Sequence, residues 1–563
     1  MDAGAVEVVD GPRGRDSSER AWRLRPAITL LVAVLPAAAL FLWHASCYGG
    51  WLIDDAGISF AYARNLAAGF GLVSQPGQVP VEGYSNPLWV LLIALLYSLK
   101  LFLIPFTPKL LSCACVLAAL VVFSATVRLV TTDREAVIVA GMGLLLSAAN
   151  PGFVIWCVSG LENPLLVLLA AALLWNCIRS LRTDLPSRER APVYAGLLAA
   201  GIALTRPDGV MYGALFPLAL LSSDERARLP RLIGRLLIYG LWMGVPFGAY
   251  LLFRHHYFHD WLPNTYYAKP GVSLSRVLDI TQLSGAGFDS LGGLSQGIFP
   301  PLPLLVPLVL AAAVYFARND RRVVLLAVFA AVPFVSYVAL PPDWMGEYRF
   351  ATVAFPGIYI LGALLLYKAA AAVRVSARRP FLLLVALGCV GLLTSAADFL
   401  ARIQVFAQSP ALPLEAGATI AWKLNELAEK LALRRPTLLL PDLGGTLLLS
   451  KARIVDIAGL CDRNIGRVYY ANRSPDEFAR YVVQELKPDL VHIHSWWAYR
   501  SGLTRSREFA AVYVSLGDGN YVRRSSLPAG MDDATARSLG TQLAGPPSNA
   551  ALRARLNSRL PDL

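Results

Sequence analysis

The sequence is short of charge. Asp, Glu, Lys and Arg make up 16% of its 563 residues, against about a quarter in an average soluble domain, and this speaks against an ordinary soluble enzyme. Histidine is scarce, with six residues, and none of them has the spacing of a metal-ligand set. The seven cysteines include no C-x-x-C pair, which removes the usual zinc and dithiol signatures. Cys113, Cys115, Cys157, Cys177 and Cys389 lie in or beside apolar runs, and no disulfide is expected between the remaining Cys47 and Cys461. No glycine-rich phosphate loop or nucleotide fold is visible, so a nucleotide-sugar donor is disfavoured. No internal repeat or low-complexity tract appears. What is abundant is apolar surface: 56% of the residues are hydrophobic and the mean hydropathy is +0.52, which excludes a disordered chain. The net charge of +13 comes from Arg clusters set between apolar runs, the pattern of membrane topology rather than of nucleic-acid binding.

A membrane-spanning helix needs about 20 mostly apolar residues. Such runs fall near 27–46, 87–106, 109–128, 135–149, 162–178, 193–205, 208–222, 232–253, 300–317, 323–340, 351–367 and 380–399. The pair 193–205 and 208–222 is short and reads as broken or tilted. The first run leads into a long mixed loop without a small-residue cleavage site, so it reads as a retained helix. Arg clusters at 20–25, 179–190, 226–235, 318–322 and 374–379 mark the cytoplasmic ends. The loops 47–86, 254–299 and 341–350 then face outward, together with everything after residue 400. Counting from the first run, the parity before residue 179 is wrong, so one segment between 87 and 178 does not cross. The expected architecture is an α-helical polytopic membrane protein of about 11–13 transmembrane helices with a C-terminal soluble α/β domain. Residues 1–26 form a cytoplasmic tail, 27–400 the transmembrane domain, 401–526 the outer α/β domain and 527–563 a flexible tail. Strands are expected at Thr437–Pro441, Arg453–Ile457, Leu490–His494, Ala511–Ser515 and Tyr521–Arg524. The last two flank the hairpin signal Gly517-Asp518-Gly519-Asn520. A helical pattern at 415–432 precedes them.

Ionisable residues at membrane edges are costly and mark function. Asp54 and Asp55 follow the first apolar run. Ile58, Tyr62, Leu66 and Phe70 then recur every four residues, predicting a helix lying on the membrane surface. The same loop carries Glu82 and Asn86, and Glu162 stands at the mouth of a later run. Arg206 and Asp208 sit between the two short runs. Asp260, Asn264 and Lys269 occupy the second outer loop, and Asp343, Glu347 and Arg349 the third. Each alone fits a helix cap or a structural salt bridge. Together they favour one polar cavity, in which carboxylates take a proton from a hydroxyl or hold a cation while Arg and Lys neutralise a phosphate. His492 and His494 alternate on one strand ahead of Trp496-Trp497, which reads first as strand packing with an aromatic membrane-edge contact and second as a sugar-contacting surface.

At these residues the sequence resembles polytopic GT-C glycosyltransferases that use polyprenyl-phosphate sugars, and most of all the cell-wall terminal arabinofuranosyltransferase family. The resemblance runs in order through Asp54-Asp55, Arg64-Asn65-Leu66, Gly71-Leu72-Val73, Pro76-Gly77 and Val81 to Asn86. It continues through Ser159-Gly160-Leu161-Glu162, Arg206-Pro207-Asp208, Leu262-Pro263-Asn264-Thr265, Ala268-Lys269, Asp343-Trp344-Met345 and Arg349, and ends in Val455 to Leu460. It implies a transferase of a bacterial plasma (inner) membrane with its site and C-terminal domain on the outer face. The donor would be a polyprenyl-phosphate pentofuranose such as decaprenyl-phosphoryl arabinofuranose. The acceptor would be a cell-envelope glycan, lipid or protein, and the configuration would invert. Asp54 or Asp55 would be the general base. Arg206, Lys269 and Arg349 would bind the donor phosphate. Glu82, Asn86, Glu162, Asp208, Asn264 and Asp343 would bind substrate. A divalent cation is left open, since enzymes of this kind differ in needing one. Gly346-Glu347-Tyr348 stands where the arabinofuranosyltransferases would have a His, so the fold and donor class follow more closely than the sugar. A lipid-linked sugar flippase or transporter is the competing reading.

Overall fold

A computed structural model describes residues 26–182, 189–223, 229–268, 288–318, 320–340, 344–376, 394–469, 474–543 and 545–558. Apolar helices dominate it. The first part of the bundle comprises α1 (Pro26–Cys47), α2 (Asp54–Ala67), α3 (Pro87–Ser98), α4 (Phe106–Val130), α5 (Asp133–Ala149), α6 (Pro151–Cys157), α7 (Asn163–Ser180) and α8 (Ala191–Thr205). The second part comprises α9 (Leu215–Leu221), α10 (Leu229–Phe258), α11 (Asn264–Ala268), α12 (Phe288–Ile298), α13 (Leu305–Ala317), α14 (Arg321–Ala339) and α15 (Ala354–Ser376). Among the described residues, four helices are long and apolar enough to cross a bilayer, those at Phe106–Val130, Asn163–Ser180, Leu229–Phe258 and Arg321–Val338. Shorter apolar helices run beside them. Leu237, Leu241, Val245 and Leu252 of α10 are exposed, as lipid-facing side chains are. The chain is a multi-pass membrane protein by this architecture. Much of the expected run 380–399 falls at 377–393, outside the described residues.

The parity conflict has a structural answer. α3 has 12 residues, or about 18 Å of helix, too little for a core of about 30 Å. Its chain returns, and the backbone of Ile104 is bracketed by Asn557 near the C-terminus, which accepts from its N–H at 2.7 Å and donates to its C=O at 2.7 Å. The His44 ring bonds the Ala148 carbonyl at 2.9 Å, which joins the C-terminal ends of α1 and α5. Only an odd number of crossings between those two helices allows that, and α4 alone supplies it. The apolar run at 87–106 is therefore not a span. At the opposite end of the bundle Arg322 donates to the Leu129 carbonyl at 2.8 Å and Lys368 pairs with Asp320 at 3.1 Å.

Prolines break helices where the site needs loops. α5 and α6 meet at Asn150-Pro151 with a 71° bend, because proline removes an amide donor and restricts the residue before it. At Arg206-Pro207 the backbone turns extended (φ −151°, ψ 140°) and α8 gives way to a short 3-10 segment, Pro207–Ala214.

The C-terminal domain opens with α16 (Leu414–Lys430) and holds a five-stranded sheet in the order β2-β1-β3-β5-β4. β1 (Thr437–Leu440) is parallel to β2 (Arg453–Asp456) and β3 (Leu490–His492), while β5 (Asn520–Arg523) is antiparallel to β3 and to β4 (Tyr513–Gly517). The strands form where the apolar patterning places them, and Asp518-Gly519 makes the hairpin turn with both φ positive. Both faces are buried. Leu438, Leu440, Leu490 and Val522 join the core continuous with the bundle, whereas Leu439, Val455, Val491 and Tyr513 join a separate cluster with Phe478, Val482 and Phe509. α17 (Gly444–Leu449) connects β1 to β2.

Two expectations are corrected here. α2, expected on the membrane surface, is buried within the protein. Ala56, Phe60, Ala61, Tyr62 and Ala63 are fully buried, because α2 is sandwiched between α3 and α17. The segment after 527, expected as a flexible tail, carries helices at Asp533–Thr541 and Asn549–Leu556. Arg553 pairs with Glu415 at 2.7 Å and Arg555 stacks on Trp422. Cys47 and Cys461 are free thiols.

Candidate active site

The cleft lies at the end of the bundle that carries the sheet domain and has a volume of about 220 Å³. Asp55, Asn86, Glu162, Arg206, Asp208 and Arg349 all line it. They reach it from the first turn of α2, the start of α3, the start of α7, the α8 break and the segment before α15, so five separate chain positions converge.

A polar relay runs along one wall. Ser59 donates to Asn86 Oδ1 at 3.2 Å, and Asn86 Nδ2 donates to Glu162 at 2.8 Å. The other oxygen of Glu162 pairs with Arg206 Nη1 at 3.1 Å, and Arg206 Nε pairs with Asp208 at 3.0 Å. Arg206 is thus neutralised by two carboxylates, as a buried guanidinium requires. The opposite wall presents Asp55 and Arg349, 3.8 Å apart. Phe350 separates the two cations, with the Arg206 and Arg349 guanidinia 4.8 and 4.6 Å from its ring centre, a double cation–π contact. Arg349 is aimed by the turn before it, in which Gly346, Glu347 and Tyr348 have φ of 70°, 49° and 57°. That turn is anchored by Trp156 Nε1 donating to the Glu347 carbonyl at 2.9 Å and by the Glu347–Arg402 ion pair. Glu347 therefore serves the loop. Asn163 fixes the next residues, donating to the Arg349 carbonyl at 3.0 Å and to Thr352 at 2.8 Å.

Three expected site residues lie outside the cleft and build its walls. Glu82 is buried and accepts from Arg254 Nε at 2.6 Å and from the Tyr250 hydroxyl at 2.6 Å, tying the first outer loop to α10. Asn264 donates to the carbonyls of Gly459 and Leu460 at 2.8 and 2.9 Å. It thereby seats the loop after β2 against the cleft, where Leu460 forms part of the lining. That loop is shaped by Asp456, which accepts from Ala458 and Cys461 N–H at 2.7 and 2.8 Å; burial pushes its carboxyl up to about 7 against those bonds. Asp54 is 2% exposed and faces away from the cleft. Its oxygens accept the N–H groups of Gly444 and Gly445 at 2.8 Å each. Burial pushes its carboxyl up to about 8, the two amides pull it down, and the nearby Asp442 and Asp55 charges push it up. Lys269 and Asp343 lie outside the described residues.

Tyr84, Tyr266, Phe350 and Leu460 also line the cleft; apolar and aromatic residues carry no signal of a site by themselves. Among the described residues no group of three His, Cys, Asp or Glu side chains is placed to hold a metal ion. Chemically, the cleft sets a partly exposed carboxylate beside a guanidinium, groups able to accept a proton and to hold an anion.

No protein-family model matches the sequence, and no curated protein matches it. Solved structures do match in fold. ArnT from Cupriavidus metallidurans bound to undecaprenyl phosphate superposes with a TM-score of 0.54 at 16% identity, over 90% of this chain and 100% of that one. The oligosaccharyltransferase AglB from Archaeoglobus fulgidus, in complex with an inhibitory peptide and a dolichol-phosphate, superposes with a TM-score of 0.52 at 12% identity, over 84% of this chain and 70% of that one. The chain has the GT-C fold of these membrane proteins.

Proposed function

We propose that this chain is a membrane glycosyltransferase that moves a sugar from a polyprenyl-phosphate donor to a cell-envelope acceptor. The observation that carries this reading is the meeting of Asp55 and Arg349 in one cleft at the mouth of an apolar helix bundle. The two fold neighbours are recorded with undecaprenyl phosphate and with dolichol-phosphate, lipids whose polar end is a phosphate. A base, a cation and access from the bilayer are the three things such a donor requires.

In this mechanism Asp55 takes the proton of an acceptor hydroxyl. The hydroxyl oxygen attacks the anomeric carbon, and the bond from that carbon to the phosphate oxygen breaks. The electron pair leaves with polyprenyl phosphate, whose growing charge Arg349 holds, and the configuration at the anomeric carbon inverts. Lys269 is assigned as the second phosphate cation on the sequence resemblance alone. Arg206 is already neutralised by Glu162 and Asp208. Its part is to hold those carboxylates, with Asn86, toward the sugar hydroxyls. Arabinofuranose is the sugar favoured, and a glycan, lipid or protein the acceptor. Arg322 and Lys368 at the end of the bundle opposite the cleft, with the Arg clusters of the sequence, support a site on the outer face of a bacterial plasma membrane.

The test is turnover by purified protein given synthetic polyprenyl-phosphoryl arabinofuranose and a mixed acceptor panel, followed by mannose- and glucose-bearing donors. Release of polyprenyl phosphate that Asp55→Asn abolishes is expected. Absence of release from every donor, with translocation of intact lipid-linked sugar across a vesicle, would replace the transferase reading by a carrier.

A further inference from the structure

We infer that Asp54 and Arg64 are positioning residues, a two-ended clasp by which the sheet domain sets the pose of α2 and so of Asp55. This rests on the assignment of Asp55 as base made above, and the clasp itself is a feature of the seam between the bundle and the sheet domain.

The geometry is complete at both ends. α17 is a helix of the sheet domain running beside α2. Asp54, at the first turn of α2, accepts the first two amides of α17, Gly444 and Gly445, each at 2.8 Å. Arg64, in the last turn of α2, donates to two carbonyls of the last turn of α17, Leu448 at 2.9 Å and Leu447 at 3.0 Å. A carboxyl acceptor therefore sits at the amide end and a guanidinium donor near the carbonyl end. Those are the orphan groups of a short helix, and each is met by a partner of the matching hydrogen-bonding kind. The backbones are joined as well. Asp54 N–H donates to the Leu412 carbonyl and Leu414 N–H to the Leu52 carbonyl, both at 2.9 Å, and Ile53 and Pro413 form an antiparallel bridge.

At its glycines the seam has no room for a side chain. A Cβ on Gly444 would stand 1.6 Å from the Asp54 carbonyl oxygen, and one on Gly417 of α16 would stand 2.4 Å from Asp54 Oδ1. Real contacts of that length do not occur. Asp54 is thus enclosed by backbone from α16 and α17, and the next residue of the same turn, Asp55, opens into the cleft. A rotation of α2 that frees Asp54 moves Asp55 by a comparable amount. Misplacement of a reacting group by about 1 Å costs on the order of 100-fold in rate.

The experiment measures two things on the full-length protein in detergent: amide hydrogen exchange in residues 444–449 and steady-state turnover with its pH profile. The variants are Asp54→Asn, Arg64→Met, which acts at the partly exposed end and spares the buried one, and Asp55→Asn. The expected result is faster exchange in 444–449 for the two clasp variants and unchanged exchange for Asp55→Asn. The clasp variants also lose about 10- to 100-fold in kcat with an unchanged acid limb in the pH profile, since Asp55 remains the base. Three results overturn the inference. One is unchanged exchange in both clasp variants. The second is faster exchange with kcat intact, which makes the clasp merely structural. The third is loss of the acid limb in Asp54→Asn with exchange unchanged, which makes Asp54 the base. If wild type turns over no donor, the transferase reading fails by itself. The clasp then stands or falls on whether exchange in 444–449 rises in Asp54→Asn and Arg64→Met.

Discussion

The cleft and the seam lie on two sides of one helix turn, and they use the same side chain in opposite ways. Asp54 is enclosed, with each oxygen taken by a backbone amide. Asp55 is partly exposed and looks across the cleft at a guanidinium. The seam is built from two side chains clasping backbone groups and from glycines, so its contacts are short and unforgiving. The cleft is built from long side chains that hold one another through ion pairs around Phe350. A carboxylate enclosed by backbone has nothing to offer a substrate, whereas one that lines a cavity can be reached by it. Proximity in the chain therefore says little about shared function.

That contrast can be broken in four ways. The largest effect is expected from Asp55→Asn. Turnover should fall by about 10² to 10⁴-fold, the range for removing a general base, with thermal unfolding of the detergent-solubilised protein unchanged. Arg349→Met should follow, losing about 10² to 10³-fold in kcat, as removal of a single charge-stabilising donor does. Its contacts with Phe350 and Trp156 make a small loss of stability the accompanying result. On the seam side, Gly444→Ala should cost about 1–3 kcal/mol or more in an unfolding titration, because no flexible side chain can yield to its Cβ. A cleft substitution that destabilised the protein as much would blur the division between the two regions.

The smallest effect is a pH dependence. Asp54 holds its proton up to about 8 in the fold, while an unfolded Asp releases it near pH 4. Between those values the native state binds more protons than the unfolded state, so stability falls as pH rises and levels off above about 8. Asp55 and Asp442, the charges that bear on Asp54, act in the same direction. Asp456, held up to about 7, adds a slope of the same sign. Asp54→Asn should therefore flatten part of the decline and leave the Asp456 part. Identical slopes in the two proteins, measured by unfolding at several pH values, would contradict this account.

How far the site was legible varies residue by residue. Asp55, Asn86, Glu162, Arg206, Asp208 and Arg349 stood out as ionisable or polar groups at the ends of apolar runs, and the fold gathers them into one cleft. Glu82 and Asn264 had the same signature and hold walls instead, because their partners, Arg254 and the carbonyls of Gly459 and Leu460, come from distant parts of the chain. The run at 87–106 had the length of a span, yet hydropathy does not distinguish burial in lipid from packing against α2. The sheet strands were readable because alternation and a two-residue turn are local features. The helices after residue 527 were not. Their composition is that of a loop, and they are held by Arg553–Glu415 and Asn557–Ile104 contacts across 138 and 453 residues.

By itself the sequence determined the class of molecule: a helical membrane protein with an α/β domain and acidic and basic residues at the ends of its spans. Those properties follow from composition, period and charge placement, each of which acts within a few turns of chain. Only the tertiary structure decided which aspartate of an adjacent pair faces the cleft, which carboxylates neutralise Arg206 and which apolar run turns back before crossing. A buried polar group is defined by the partner it meets, and at this site most partners come from distant parts of the chain.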